Sequence, residues 1–185
     1  MKIRSFIALE LAPEAHSILK NQLASWKAAY PSGINWVREE NLHQTILFLG
    51  DIDPVIIPDL EQMLEDLARH QEPFQLQLKG YELFPDKAPR MIWAQLESPD
   101  NSPYKFNRLL LHAAKDLGLE PDDKALRLHI TMGRIKAPQS PAVITEFLQT
   151  TCTTTMLTFG LLSLYQSVLQ PDGPVYTLIK QIELT

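Results

Sequence analysis

Two stretches of the sequence set one histidine and one threonine into an apolar, strand-like run. "NLHQTILFLG" holds His43 and Thr45, and "LRLHITMGR" holds His129 and Thr131. Successive side chains of a β-strand point to opposite faces, so the His and Thr of each pair are predicted to project from one face. If helices cover the other faces, the two pairs line a surface that they share.

These residue types suit acid-base chemistry on a phosphodiester. An imidazole titrates near neutral pH, so one can take a proton from water while another gives a proton to a leaving oxygen. A threonine hydroxyl can donate a hydrogen bond to a non-bridging phosphate oxygen and stabilise the charge of a phosphoryl-transfer transition state. The pattern predicts catalysis without a metal or another cofactor.

A metal site is the main competing use of a histidine pair. Structural zinc usually takes four protein ligands and catalytic zinc three, with short spacings such as His-x-x-x-His. The neighbours of both histidines are Thr and apolar residues, so no metal ligand set is predicted. The 7 glycines do not cluster, which disfavours a loop for nucleoside triphosphates.

The elements that carry these pairs repeat along the chain. Residues 2–84 read as strand, helix, strand with His-x-Thr, helix and strand, and residues 91–169 follow the same order before a closing strand at 174–184. The connection at 85–90 is too short for a flexible linker. The sequence predicts one domain over 1–185, of class α+β, with a bilobal duplicated fold: two antiparallel sheets line a central cleft and helices lie outside.

One helix of the second half has two predicted starts. Its apolar pattern ends near Gln149, and either Pro138 or Pro141 suits the first helical turn.

Three arginines are candidates for substrate contacts. Arg127 shares strand parity with His129, whereas Arg134 has the opposite parity and would face away unless the strand is bulged. Arg90 lies in the connection between the halves, near the predicted mouth of the cleft. The alternative for each is a solvated surface position or a structural ion pair.

Aromatic residues on the strands could stack a nucleobase. The candidates are Phe48, Tyr165 and Trp93, although aromatic side chains on strands usually belong to the core. Strand parity places Phe48 with Ile46 on the face opposite His43, and it places Met132 opposite His129.

Composition limits the kinds of partner. The net charge of −5 argues against broad coating of nucleic acid, so a nucleic-acid contact is expected to involve a terminus or a few nucleotides. The single Cys152 excludes an internal disulfide and fits a reducing compartment. No signal peptide and no membrane-spanning run is recognised, so we expect a soluble, cytoplasmic protein that is a monomer and has no membrane partner.

The chain resembles the 2H phosphoesterase superfamily, and within it the RNA 2′,3′-cyclic phosphodiesterases once called 2′-5′ RNA ligases. The resemblance runs through "RSFIALEL", "WVREENLHQTILFLGDI", "YELFPDKAPRMIWAQL", "LRLHITMGRIK" and "LYQSVLQPDGPVYTLI". It implies a bilobal α+β fold, metal-independent opening of a 2′,3′-cyclic phosphate to a 2′-phosphomonoester, and some capacity for joining RNA ends through a 2′-5′ linkage.

The resemblance also implies roles for the four motif residues. His43 matches the family's proton donor and His129 its proton acceptor, while Thr45 and Thr131 match the hydroxyls that hold the phosphate. The residues alone leave donor and acceptor open, because the halves are similar and the reverse reaction exchanges the roles.

The second motif departs from the family's commonest pattern. Leu128 stands where Pro is frequent, and Met132 and Gly133 stand where Leu and Ala are frequent. These changes affect the fine geometry of the strand and leave both motif residues in place.

The leading hypothesis is hydrolysis of RNA that ends in a 2′,3′-cyclic phosphate, with tRNA fragments among the candidate substrates. One alternative is a phosphodiesterase for a small cyclic nucleotide. Another is a non-catalytic module that binds RNA ends. Ligation in the reverse direction is a further hypothesis, because a catalyst lowers the barrier in both directions.

Overall fold

The computed structural model describes residues 1–85, 88–137, 139–150, 155–171 and 173–185, and these contain eight β-strands and four α-helices. The strands are β1 (Ile3–Leu11), β2 (Ile34–Trp36), β3 (His43–Ile52), β4 (Phe74–Phe84), β5 (Met91–Glu97), β6 (His129–Ile135), β7 (Thr155–Gln170) and β8 (Gly173–Glu183). The helices are α1 (Pro13–Ala29), α2 (Ile57–Ala68), α3 (Ser102–Asp116) and α4 (Pro141–Gln149).

Proline marks the start of each helix described. It occupies the first or second helical position in α1, α2, α3 and α4. The fixed φ of proline suits the first turn, where its missing N–H leaves no hydrogen bond unmade. Of the two predicted starts for α4, Pro141 is the one observed; Pro138 lies outside the described residues, as does Cys152.

The eight strands form one antiparallel sheet, which corrects the expectation of two. Its order is β2-β6-β5-β4-β7-β1-β3, with β8 paired to β7. The two expected sheets are joined because Phe74–Leu78 of β4 pairs with Thr155–Phe159 of β7. The α+β class with antiparallel strands is confirmed, whereas the boundaries of the two lobes stay a prediction.

With β2 and β8 set aside, the strand order is the same when the two halves of the chain are exchanged. On one side of the β4–β7 pairing lie β5 and then β6, and on the other side lie β1 and then β3. The last strand of the first half, β4, therefore pairs with the first strand of the second half, and β7 pairs with β1 in return. This order brings the two His-x-Thr strands, β3 and β6, to equivalent places.

Helix packing determines which face of β1 points to the site. Leu19 and Leu23 of α1 are buried together with Ile7 and Leu9 of β1 in one apolar core. Full burial of each such side chain contributes about 1.5–3 kcal/mol to the free energy of unfolding. Because side chains alternate along the strand, Phe6 points to the opposite face, where it stacks on a motif histidine.

Gly133 lies under a tryptophan, which accounts for one departure from the family's common motif. A Cβ at Gly133 would lie 2.9 Å from Cε3 of Trp36 and 3.0 Å from Cγ2 of Ile34. These residues form β2, which pairs directly with β6. The indole ring therefore occupies the space that an alanine side chain would need.

We expect Gly133→Ala to lower the free energy of unfolding by about 1–3 kcal/mol, the usual cost of overpacking. Denaturant titration measures it. Gly160→Ala in β7 is the matched control, because a Cβ at Gly160 meets no atom of the described residues within 4 Å. Equal stability of the two variants would contradict the packing argument.

Candidate active site

Both His-x-Thr pairs face one cavity of about 550 Å³. His43 and Thr45 reach it from β3, and His129 and Thr131 reach it from β6. All four side chains are half-buried, while Gln44 and Ile130 between them are buried on the other face. The structure thus brings together the four residues that strand parity paired.

A backbone carbonyl fixes the ring of His43. Its Nδ1 lies 2.8 Å from the carbonyl oxygen of Asn41, and its Nε2 lies 3.0 Å from Oγ1 of Thr45. A carbonyl oxygen only accepts hydrogen bonds, so Nδ1 must carry the hydrogen. In the neutral ring, Nε2 is then the basic atom, and the Thr45 hydroxyl donates to it.

The ring of His129 is held in the same way. Its Nδ1 donates to the carbonyl oxygen of Arg127 at 3.0 Å. In both motifs the acceptor is thus the carbonyl two residues before the histidine. This leaves Nε2 of each imidazole as the nitrogen that can exchange a proton with a ligand.

Aromatic rings pack behind each imidazole. Phe6 stacks on His43 with ring centroids 5.1 Å apart, and Tyr176 of β8 meets the same ring edge-on at 5.4 Å. Trp93 stacks on His129 at 3.8 Å, and Phe84 stacks on Trp93 at 4.2 Å. The rings limit rotation of both imidazoles and keep water from one side of each.

Burial lowers the pKa of both histidines. Desolvation lowers the pKa of His43 to about 4; the hydrogen bond to Asn41 opposes the shift, and the charge of His129 adds to it. Desolvation also lowers the pKa of His129, with a further contribution from the charge of Arg127. Both imidazoles are therefore mostly neutral at pH 7 in the free protein.

An extra residue directly after the threonine of each motif changes which side chains face the cavity. In β3, Thr45 pairs with Ala8 and Leu47 with Ile7, which leaves Ile46 without a partner in the register of β1. Because of this bulge, Phe48 points to the same face as His43 and Thr45. Phe48 therefore lines the cavity and is 47% exposed. The expectation from parity that Phe48 lies on the opposite face is wrong, whereas that for Ile46 is correct.

The same bulge occurs at the same place in β6. Thr131 pairs with Trp93 and Gly133 with Ile92, so Met132 is the extra residue. Arg134 consequently lines the cavity. In a regular strand its parity would have placed it on the opposite face from His129. Phe48 and Arg134 are each five residues after the histidine of their motif.

The cavity wall is basic although the whole chain is acidic. Four cationic side chains line it: Arg4, Arg38, Lys124 and Arg134. None of the described lining residues is Asp or Glu. Lys124 also pairs with Asp122 at 2.9 Å. In a chain of net charge −5, this segregation favours an anionic ligand.

The other arginine candidates do not line the cavity. Arg127 is exposed, and its guanidinium lies 4.9 Å from the ring centroid of Phe84, on the far side of the stack that supports His129. Arg90 is exposed, and its carbonyl accepts from the Ile135 amide.

The other two aromatic candidates also have packing contacts. Trp93 is 4% exposed and packs on His129, and Tyr165 stacks on Phe6 with ring centroids 5.4 Å apart. Trp93 lines the cavity, whereas Tyr165 does not.

Several lining residues escaped the reading of the sequence. Arg4 and Phe6 share one face of β1, Arg38 follows β2, and Tyr176 lies on β8. Alternation along β1 could have associated Arg4 with Phe6. No local signal connects Arg38 or Tyr176 with the motifs, because only the sheet order brings these segments together.

Two absences hold for the described part of the chain. No three His, Cys, Asp or Glu side chains come together there in a way that could hold a metal ion. None of its helices is long and apolar enough to cross a membrane.

Comparisons with known proteins find relatives along nearly the whole chain. Residues 16–93 match the family model of the LigT like phosphoesterases. An RNA 2′,3′-cyclic phosphodiesterase of Thermus thermophilus is 30% identical over an alignment that covers 98% of this chain and 90% of the relative. One of Methanothermobacter thermautotrophicus is 28% identical, with 96% of each chain covered.

Solved structures share the fold. The crystal structure of TT0787 of Thermus thermophilus superposes with a TM-score of 0.82 at 27% identity, covering 98% of each chain. Escherichia coli LigT in complex with 3′-AMP gives 0.73 at 21% identity, covering 100% of this chain and 99% of LigT. With two bulged His-x-Thr strands facing one basic cavity, and a relative 30% identical along nearly its whole length, this chain belongs to the LigT-like phosphoesterase family, a family of 2H phosphoesterases.

Proposed function

We propose that this protein is an RNA 2′,3′-cyclic phosphodiesterase that hydrolyses the terminal cyclic phosphate to a 2′-phosphomonoester by two-histidine acid-base catalysis. One observation carries the proposal: two imidazoles face one basic cavity, and each has its Nδ1 tied to a backbone carbonyl. The names of relatives such as those from Thermus and Methanothermobacter support the substrate.

In the proposed mechanism His129 is the proton acceptor and His43 the proton donor. Nε2 of His129 takes a proton from water, whose oxygen attacks phosphorus. The bond between phosphorus and O3′ breaks, and O3′ receives the proton from Nε2 of His43. The product has a 2′-phosphate and a free 3′-hydroxyl, and the two imidazoles have exchanged protonation states, which solvent restores.

The threonine hydroxyls stabilise the charge that builds on phosphorus. Thr45 and Thr131 accompany the two histidines at the cavity wall, so their hydroxyls can donate to non-bridging oxygens. In the free protein Thr45 donates to His43 instead. Protonation of His43 at Nε2 removes that acceptor and releases the Thr45 hydrogen for the phosphate.

The distribution of charge supports an oligonucleotide over a small cyclic nucleotide. One phosphate suffices for the two His-x-Thr pairs, yet four cationic side chains line the cavity. Additional cations suit the phosphates that precede the terminal nucleotide. tRNA fragments are one such substrate class.

The reverse reaction at the same site would join a 2′,3′-cyclic phosphate to a 5′-hydroxyl end through a 2′-5′ linkage.

The direct test uses EDTA-treated protein and an oligoribonucleotide that ends in a 2′,3′-cyclic phosphate. We expect conversion to a product that a phosphatase can dephosphorylate and that comigrates with a 2′-phosphate standard. A 3′-phosphate product would overturn the assignment of the cleaved bond. Binding without turnover would favour a non-catalytic RNA-end module, and preference for a mononucleotide would favour the small cyclic substrate.

Arg134 gives a test of phosphate binding. We expect Arg134→Gln to raise KM for the cyclic-phosphate oligonucleotide by about 10-fold, because a charge-assisted hydrogen bond contributes about 1.5–3 kcal/mol. Steady-state kinetics measure it. Arg90→Gln removes an exposed guanidinium outside the cavity and should leave KM within about twofold. Equal effects of the two variants would assign the loss to overall charge.

A further inference from the structure

Gln44 is a fully buried amide between the two catalytic motifs. Its side chain is 0% exposed and lies on the face of β3 opposite His43 and Thr45. Burying an amide is unfavourable unless hydrogen bonds replace those it makes with water. Its neighbours two residues away on the same face, Leu42 and Ile46, are buried and apolar, so the partners of Gln44 explain why a polar side chain occupies this position.

The partners of Gln44 belong to both motifs. Its Oε1 accepts from the backbone N–H of His129 at 2.5 Å, and its Nε2 donates to the carbonyl oxygens of Thr45 at 2.6 Å and Arg127 at 3.3 Å. β3 and β6 lie far apart in the strand order and are not neighbours in the described sheet. This one side chain therefore links the two motifs across the gap that the sheet leaves between them.

One of these acceptors also orients the second imidazole. The carbonyl of Arg127 accepts from Nδ1 of His129 as well as from Nε2 of Gln44. The Gln44 amide thus holds the carbonyl that fixes the tautomer of His129 and the backbone N–H of the same histidine. The tautomer of His43 depends instead on Asn41, to which its Nδ1 donates.

We propose that Gln44 is a positioning residue that fixes the tautomer and orientation of the His129 imidazole and its register against the His43 motif. Gln44 does not touch the cavity, so it acts on catalysis only through His129 and Thr45. The effect on turnover rests on the proposed function, whereas the effect on the imidazole does not.

The test compares three variants. Gln44→Met keeps the length of the side chain and removes all three hydrogen bonds. Gln44→Glu keeps an acceptor for the His129 N–H and loses the donor to the two carbonyls. Asn107→Leu is the matched control, because Asn107 donates to the carbonyl of Ile46 at 2.6 Å and ties β3 to α3 without touching either histidine.

The first readout is the ¹⁵N NMR spectrum of the histidine side chains at pH 7. In the wild-type protein we expect both catalytic imidazoles to be Nδ1–H tautomers. In Gln44→Met and Gln44→Glu, His129 should become a mixture of tautomers while His43 stays unchanged. In Asn107→Leu both should keep the wild-type pattern, with the loss of stability visible in Tm alone.

The second readout is the kinetics on the cyclic-phosphate oligonucleotide. We expect Gln44→Met to lower kcat by about 10-fold to 100-fold, the effect of a small misplacement of a catalytic group, with KM within about threefold. An unchanged His129 spectrum in both Gln44 variants would overturn the proposal, as would an equal change in Asn107→Leu. If Gln44→Met does not fold, Gln44→Glu carries the comparison. If the wild-type protein does not cleave the substrate, the proposed function fails while the NMR comparison still decides the role of Gln44.

Discussion

Replacing either His43 or His129 with Ala is expected to lower kcat on an oligoribonucleotide 2′,3′-cyclic phosphate by about 10²–10⁴-fold, the range for loss of a general acid or base. Each imidazole has its Nδ1 fixed by a carbonyl and its Nε2 free to exchange a proton with the substrate, a function that alanine lacks. KM should change little, because Thr131 and Arg134 still line the cavity. Single-turnover kinetics with thermal unfolding curves provide the measurement.

A leaving group that needs no proton separates the two roles. With sulfur in place of O3′ in the cyclic phosphate, protonation of the leaving atom becomes unimportant. The His43→Ala variant should then recover most of its lost rate, and His129→Ala should not. Recovery in His129→Ala alone would reverse the assigned roles. His112→Ala removes an exposed imidazole from α3 and serves as the control for loss of a histidine.

The second large effect is a steep dependence of kcat/KM on pH. The proposed reaction needs one protonated and one neutral imidazole, so the active form of the free protein would be the one in which the pair holds a single proton. The pKa of His43 is lowered to about 4, and that of His129 is lowered from its ordinary 6.5. The maximum should therefore lie between pH 4 and 6.5.

Above pH 6.5 we expect kcat/KM to fall about 10-fold per pH unit, because the remaining proton leaves the pair. The profile of kcat should fall at higher pH than that of kcat/KM, since a bound anionic phosphate raises the pKa of both imidazoles. Rates measured from about pH 3 to about pH 8.5, a range that spans both limbs, give the two profiles. A kcat/KM that is constant up to about pH 8 would contradict the lowered pKa values.

Loss of the fold in acid needs its own control. His43 in the unfolded chain takes a proton below its ordinary pKa of 6.5, whereas in the folded protein it takes one only near 4. The unfolded state thus binds more protons in this interval, so the folded protein loses stability as the pH falls from 6.5 towards 4. Circular dichroism at each pH separates this loss from the acid limb of the rate profile.

Most of the site could be predicted because strands have a period of two. Alternation around His43 and His129 predicted which two residues of each motif share a face, and turn residues gave the strand boundaries. The period fails where one residue is added to a strand. The bulges at Ile46 and Met132 are not visible in the apolar pattern, so the faces of Phe48 and Arg134 required the structure.

Long-range contacts account for the rest. The pairing of β4 with β7, which joins the two expected sheets, depends on segments about half the chain apart. The contributions of Arg38 and Tyr176 to the cavity depend on the same topology. The role of Gln44 has no signal in the sequence, since its partners are backbone atoms of Thr45, Arg127 and His129, which no side-chain pattern reveals.

The pairing of each half's last strand, β4 or β7, with the first strand of the other half has a mechanical consequence. The motif strand β3 lies next to β1, and β1 pairs with β7 from the second half of the chain. The motif strand β6 lies next to β5, and β5 pairs with β4 from the first half. Moving the two motifs apart would break hydrogen-bonded ladders between the halves. We therefore expect access to His43 and His129 to come from bending of the continuous sheet and from side-chain rotation, which keeps the two imidazoles at a nearly constant separation.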